Sequence, residues 1–315
     1  MLYRAREGAG KRRMTEAIIE SSVVANGVRF HYATQGRGPL VLLVHGFPER
    51  WFSWRWQIPA LAAAGYRVVA PDLRGYGLSD KPHDGYEITN LALDIAQLIR
   101  ALGEDEATVI GHDWGGAITW ETVSRHPEVV SRYGVINCPH PEVMRRTLLS
   151  STAQLRRSWY MFAFNIPWLP ERMIARDGGS AVAKMFRAMA VDRSNFTREA
   201  MAPFCESVAS PEAVTPMLAY YRQALRAAAR PSSIAPYPVI EKPGLLLWAE
   251  EDKALGLELL APHSRVARDL RIQRIPQCGH FCTQEQPETV NRHLLRWLEE
   301  TRAVTPGRSA SPPSE

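Results

Sequence analysis

The residues from Val109 to Gly116 carry the first chemistry in this sequence. Apolar Val109 and Ile110 run into Gly111-His112-Asp113-Trp114-Gly115-Gly116, followed by a helix expected over residues 117–123. Small residues two before and two after Asp113 permit the sharp turn that lifts a nucleophile above a sheet. Here that nucleophile is a carboxylate. It is a poor acyl acceptor, but it displaces a leaving group from saturated carbon and leaves an ester whose carbonyl belongs to the enzyme. A helix-capping aspartate is the competing reading, so the partners of Asp113 decide.

Those partners follow in order. Leu245 to Ala249 reads as a strand that delivers Glu250-Glu251-Asp252, and Ile275 delivers Pro276-Gln277-Cys278-Gly279-His280-Phe281. Asp252 is the expected acid, holding the His280 imidazole in the tautomer that takes a proton from water, with Glu250 and Glu251 as alternatives. Of the nine histidines, His280 is the one in a glycine-preceded loop after the last expected strand. His83, His126, His263 and His293 read as solvated surface, His31 as a strand residue and His45 as a structural histidine below the site. Strand Leu40 to Val44 ends in His45-Gly46-Phe47-Pro48. The backbone N–H groups of Phe47 and Trp114 can then form an oxyanion hole for water attack on an Asp113 ester. The run from Asp72 to Ser79 reads as a structural turn beside the site.

Positioning these groups requires a sheet. Short apolar runs at Leu40–Val44, Val68–Ala70, Thr108–Ile110, Gly134–Ile136, Leu245–Ala249 and Ile272–Ile275 suit parallel strands covered on both faces. Val23 and Val24 are separated from Val28, Phe30 and Tyr32 by Asn26-Gly27, a hairpin turn pair. Ile88, Leu91, Ile95, Leu98 and Leu102 fall on one helical face that ends at Gly103. The alternation means α/β. It is interrupted between about Pro141 and Pro238, where only helical patterns occur, such as Met217, Tyr220, Tyr221 and Leu225. That interruption, after the fifth or sixth strand, is expected to cover the carboxyl edge of the sheet as a lid.

Composition narrows the partners. The chain has 315 residues, 45% of them hydrophobic, and a net charge of +5. Residues 1–13 hold five bases against Glu7, and Arg302 and Arg308 oppose Glu315, so the body from 14 to 301 is neutral. A dedicated nucleic-acid face is not expected from such a distribution, and no apolar run is long enough to span a bilayer. Within the body, residues 141–238 hold 13 Arg and Lys against 7 Asp and Glu, and the remainder holds the opposite excess. Residues 1–13 lack the apolar stretch of a secretory signal, so a cytoplasmic location is expected, and Met14 is an alternative start. Cys138, Cys205, Cys278 and Cys282 form neither a disulfide framework nor a metal-binding spacing.

The phrases from Val44 to Pro82 and Gly111 to Gly116, with the Asp252 and His280 loops, resemble the soluble epoxide hydrolase branch of the α/β-hydrolase family. The resemblance covers roughly residues 20–300. It implies an α/β-hydrolase core over 20–140 and 239–301, a helical cap over 141–238, a basic extension over 1–19 and a disordered tail over 302–315. Two cap tyrosines of that branch hold the epoxide oxygen, and their contexts match Ser158-Trp159-Tyr160 and Tyr220-Tyr221-Arg222, with Tyr160 and Tyr221 at the matching positions. Asn165 departs from the glutamine common there, and Phe47 departs from the asparagine of one dehalogenase branch. The resemblance further implies a lipophilic epoxide and water as substrates, no cofactor and no metal. Phe47, Trp114, Trp159 and Phe281 are the expected substrate-binding residues, with Phe162, Phe164 and Trp168 adding to an apolar pocket. A monomer or homodimer is expected. A haloalkane or haloacid dehalogenase and a non-catalytic small-molecule binder are the rival readings.

Overall fold

The computed structural model describes residues 17–229, 236–260 and 263–302. Its centre is an eight-stranded sheet. In chain order the strands are β1 (Ile19–Ala25), β2 (Val28–Gln35), β3 (Leu40–Val44), β4 (Arg67–Pro71), β5 (Ala107–His112), β6 (Val130–Ile136), β7 (Gly244–Ala249) and β8 (Leu270–Ile275). They lie side by side as β1-β2-β4-β3-β5-β6-β7-β8. The first hairpin is antiparallel and β2 pairs antiparallel with β4, while every pairing from β4 through β8 is parallel. Asn26 and Gly27 both have positive φ, 45° and 71°, as a tight primed turn demands.

Alternation along each central strand divides the core between the two faces of the sheet. Leu40, Leu42 and Val44 of β3 join a cluster with Leu91, Ile95 and Leu98 of helix α2 (Ile88–Ala101) and Ile118 of helix α3 (Trp114–Arg125). Val41 and Leu43 point the other way. They join Ile58 and Leu61 of helix α1 (Gln57–Ala63) and, after the short α10 (Cys282–Glu285), Leu294 and Leu298 of α11 (Pro287–Arg302). Each such fully buried side chain contributes roughly 1.5–3 kcal/mol over its exposed state, which fixes strand register and so the height of the loops at the carboxyl edge.

Between β6 and β7 the described residues form six helices: α4 (Pro141–Ser150), α5 (Thr152–Arg157), α6 (Trp159–Ala163), α7 (Leu169–Met189), α8 (Arg198–Ser207) and α9 (Pro211–Ala228). The insertion thus follows the sixth strand. Helix α7 is broken where Asp177, Gly178 and Gly179 take left-handed backbone angles. The Tyr220 hydroxyl of α9 donates to the Arg74 carbonyl at 2.7 Å, and Phe186 of α7 stacks on Phe281 at 3.9 Å, so these helices seat on the loops at the sheet's carboxyl edge.

Three expectations need correction. The run Ile272–Ile275 is not buried on both faces: β8 borders β7 alone, and Arg271 through Arg274 are exposed, as an edge strand allows. His263 is not surface; it is fully buried, stacks on Trp120 at 5.7 Å and accepts the His140 backbone N–H at 3.2 Å. Ile19, assigned to the basic extension, is the first residue of β1 and pairs with Thr34 of β2, and Arg302, assigned to the tail, closes α11. Residues 1–16 of the extension and 303–315 of the tail lie outside the described residues.

Candidate active site

Asp113 occupies the turn between β5 and α3 with φ 51° and ψ −121°, a conformation that costs an ordinary residue free energy and is held only by its surroundings. The surroundings are built from glycine. A Cβ on Gly111 would stand 2.0 Å from the Gly115 carbonyl oxygen, and one on Gly115 would stand 2.0 Å from the Val44 carbonyl oxygen. The spacing legible in the sequence is therefore a packing requirement, with the elbow pressed against β3.

The two carboxylate oxygens of Asp113 have different neighbours. Oδ1 accepts the Phe47 backbone N–H at 2.8 Å. Oδ2 lies 3.5 Å from His280 Nε2. Trp114, the other expected oxyanion donor, is the first residue of α3, where backbone N–H groups lack an intrahelical acceptor. Asp113 does not cap α3 with its side chain.

On the far side of the imidazole, His280 Nδ1 is 2.7 Å from Asp252 Oδ2. Asp252 is buried, its other oxygen accepting the Ala254 and Leu255 N–H groups at 2.8 and 3.0 Å. The two glutamates are placed elsewhere: Glu250 pairs with Arg274 at 2.7 Å and Glu251 is exposed. Burial disfavours the His280 imidazolium, but Asp252 and then Asp113 outweigh that cost and hold His280 well above the ordinary histidine value. Burial likewise opposes ionised Asp252, and His280 with the two backbone N–H groups brings its pKa below the ordinary value.

Tyr160 from α6 and Tyr221 from α9 close this group from above. Their rings are 6.0 Å apart, and Tyr221 also meets Phe47 at 5.3 Å, Trp114 at 5.1 Å and Phe164 at 5.0 Å. Burial, reinforced by the negative charge of Asp113, raises both phenols above their ordinary pKa, so both are protonated at neutral pH and able to donate. Neighbouring Tyr220 faces the other way, its hydroxyl committed to Arg74.

Not every expected residue joins the cluster. Phe47, Trp114 and Phe164 do. Phe281 is buried beside His280 at 5.0 Å but is stacked flat on Phe186. Trp159, Phe162 and Trp168 are exposed instead of lining the pocket. The helical period explains it: Tyr160 and Phe164, the residue that caps the end of α6, are four apart and share its inner side, whereas Trp159 and Phe162 occupy the outer side.

Several supporting residues carry no sequence signal that motif reasoning could use. Asn137, at φ 45°, donates to Asp252 Oδ2 at 2.8 Å and accepts the Ala249 N–H at 2.9 Å. Glu49, fully buried, accepts the Gly46 N–H at 3.0 Å and pairs with His112 Nδ1 at 2.8 Å, while His112 Nε2 meets the His280 carbonyl at 2.8 Å. Burial would raise the Glu49 carboxyl, but His112 beside it brings it down to about 2. Glu285 accepts the Val191 and Asp192 N–H groups at 2.9 and 2.8 Å with one oxygen and the Gly279 N–H at 2.9 Å with the other. It thereby ties the segment after α7 to the His280 loop. Among the described residues no cluster of His, Cys, Asp or Glu could hold a metal ion, and no helix is long and apolar enough to cross a membrane.

A strained carboxylate elbow, a histidine and an acid in this chain order, on a sheet of this strand order, define an α/β hydrolase. The alpha/beta hydrolase fold family matches residues 39–283, and the chain belongs to the α/β-hydrolase family, in its epoxide hydrolase branch. It is similar to Epoxide hydrolase 4 of Homo sapiens, 36% identical over 289 residues that cover 88% of this chain and 78% of that one. It is also similar to Epoxide hydrolase 1 of Caenorhabditis elegans, 35% identical over 279 residues that cover 86% of this chain and 68% of the relative. Among solved structures, an epoxide hydrolase of Bacillus megaterium crystallised with an inhibitor superposes with a TM-score of 0.81 at 31% identity, covering 89% of this chain and 100% of that one.

Proposed function

We propose that this enzyme hydrolyses lipophilic epoxides to vicinal diols through a covalent ester on Asp113. The observation that carries the reading is the division of labour at Asp113: one oxygen on the Phe47 N–H, the other facing His280, and two protonated phenols above. The relatives and the solved structure named as epoxide hydrolases support it.

In the first half-reaction Asp113 Oδ2 attacks an epoxide carbon and the ring C–O bond breaks. Tyr160 and Tyr221 donate hydrogen bonds to the ring oxygen, and one supplies the proton that makes it a hydroxyl. The Asp113 charge is lost on forming the ester, which removes one of the interactions favouring the imidazolium. The His280 pKa falls accordingly, which favours the neutral imidazole that can accept a proton as its second task begins.

In the second half-reaction His280 Nε2 takes a proton from water, steadied by Asp252 at Nδ1. Hydroxide attacks the Asp113 carbonyl carbon, and the oxyanion at Oδ1 stays on the Phe47 N–H, joined by that of Trp114. The acyl–oxygen bond breaks, the leaving oxygen takes the proton held by His280 and the diol departs; the proton of the water-derived hydroxyl on Asp113 passes back to the tyrosinate, so Asp113 is again a carboxylate, now with one oxygen from water. Every step draws on side chains of this chain, the backbone N–H groups of Phe47 and Trp114, and one water.

The test is a single turnover of styrene oxide in ¹⁸O-water, with 1-bromobutane offered in parallel. Label is expected in Asp113, with diol formed and lost in Asp113→Asn. Label in the diol after one turnover overturns the ester route. Halide release without epoxide turnover would make the enzyme a dehalogenase.

A further inference from the structure

Every exposed tryptophan or phenylalanine among the described residues lies between positions 159 and 168: Trp159 is 67% exposed, Phe162 51% and Trp168 63%. Ile166 and Met173, 47% and 62% exposed, extend the same surface. Half of the large apolar side chains exposed among the described residues fall between Leu149 and Met173. Single exposed apolar residues are ordinary, but a concentration of this kind marks a binding surface.

The backbone maintains it. Trp168 has φ 54° between Pro167 and Leu169, a left-handed conformation that is a real cost for a bulky residue. Its ring is covered by the Arg172 guanidinium at 5.3 Å but remains open to solvent. Arg156 and Arg172 flank the aromatics, both exposed, and no carboxylate among the described residues pairs with either. From 141 to 177 the chain holds six arginines against Glu142, Glu171 and Asp177; Arg145 and Arg146 pair with Glu142, Arg157 with Glu258 and Arg176 with Asp177, and Glu171 is buried against Arg222 at 2.7 Å, so among the described residues Arg156 and Arg172 are the two of the six without a carboxylate partner.

Charge selects the occupant. The residues 1–13 of this chain are themselves basic, five to one, so they would meet like charge on this face. A second copy placed about a two-fold axis would set arginines against arginines. An anionic surface meets neither penalty, and tryptophan and phenylalanine with adjacent arginine are the side chains favoured at the lipid headgroup level. We propose that this outer face of α5–α7 docks on an anionic lipid surface, with Trp159, Phe162 and Trp168 among the headgroups and Arg156 and Arg172 at the phosphates.

The consequence for substrate follows from α6, whose outer side carries Trp159 and Phe162 and whose inner side carries Tyr160. Docking sets the phenols about one helix diameter from the lipid, where lipophilic epoxides partition; this consequence rests on the proposed function, and the docking itself does not.

The test is flotation of the full chain with vesicles of phosphatidylcholine, with and without 30 mol% phosphatidylglycerol (an amount of roughly the order that sets a cellular surface potential). Binding is expected with the anionic lipid only, weakened by salt, and reduced about thirtyfold or more in Arg156→Glu/Arg172→Glu on a contribution of about a factor of five per base. Phe162→Ser/Met173→Ser should lose binding while circular dichroism and turnover of water-soluble styrene oxide stay at wild-type level. No binding, equal binding to neutral vesicles, or binding that survives both variants overturns the proposal. So does light scattering that shows a dimer dissolved by the same substitutions without vesicle binding. Vesicle binding without epoxide turnover would keep the docking and remove only the reading of the substrate.

Discussion

Tyr160 and Tyr221 meet with ring centroids 6.0 Å apart and planes at 81°, although 61 positions separate them and each comes from a different helix of the insertion. Tyr221 is buried and Tyr160 half-buried, and desolvation with the charge of Asp113 holds both phenols protonated. A pair of neutral donors within electrostatic reach of one carboxylate suits an oxygen that acquires negative charge as a ring opens.

Loss of one phenol should therefore damage the first half-reaction. Tyr160→Phe and Tyr221→Phe are each expected to lower kcat/KM for styrene oxide by about 10²-fold, in the range found for a single oxyanion donor. The double variant should lose diol formation. Tyr220→Phe is the control, because its hydroxyl is spent on Arg74, and it should cost stability rather than alkylation rate. Stopped-flow fluorescence of the tryptophan near Asp113 reports the alkylation step; equal effects of Tyr220→Phe and Tyr221→Phe would contradict the assignment.

Asp252→Ala separates the two halves of the reaction. The variant leaves Asp113 and both phenols in place but removes the partner of His280 Nδ1, so hydrolysis should slow by about 10³–10⁴-fold. Intact-protein mass spectrometry should find an ester accumulating on Asp113. Failure to alkylate at all would remove Asp252 from its role in the second step.

The raised pKa of His280 fixes the sign of a pH effect. Its imidazolium is favoured in the folded state, so the stability it contributes is fully present below the unfolded value of 6.5 and lost as pH rises through the higher folded value. Asp252→Asn removes the largest interaction that raises it and should flatten that decline. In Asp113→Asn the His280 ring signals should titrate at lower pH than in wild type, for the same reason. Unchanged titration by NMR would show that these carboxylates do not control the imidazole.

Glu285 should matter more than its distance from the elbow suggests. Its carboxylate serves three backbone N–H groups, and Glu285→Gln would turn an NH₂ toward donors. The expected cost is about 1–3 kcal/mol in urea unfolding, the usual penalty for unpaired buried groups. Because Gly279 precedes His280, hydrolysis should slow more than alkylation; a uniform loss of both would make Glu285 purely structural.

The sequence determined a great deal where the requirement was local. Apolar runs bounded by turns became strands because burial on both faces tolerates little else, and Gly-x-Asp-x-Gly marked the elbow because only small residues fit against α3 at Gly111 and against the end of β3 at Gly115. Chain order offered His280, and an acid within the run 250–252. Which of those three acids faces the imidazole was decided by tertiary structure, since they share one loop and differ only in direction.

The aromatic residues of α6 show the same limit. Trp159, Tyr160, Phe162 and Phe164 are all compatible with a lined cavity on composition, and it is the docking angle of one short helix that turns Tyr160 and Phe164 inward and leaves Trp159 and Phe162 in solvent. His263, Asn137, Glu49 and Glu285 gain their partners from segments far away in the chain. Period and turn chemistry act over a few residues and can be read from them; hydrogen bonds that satisfy a buried polar group depend on which distant backbone happens to be beside it, and only the folded chain settles that.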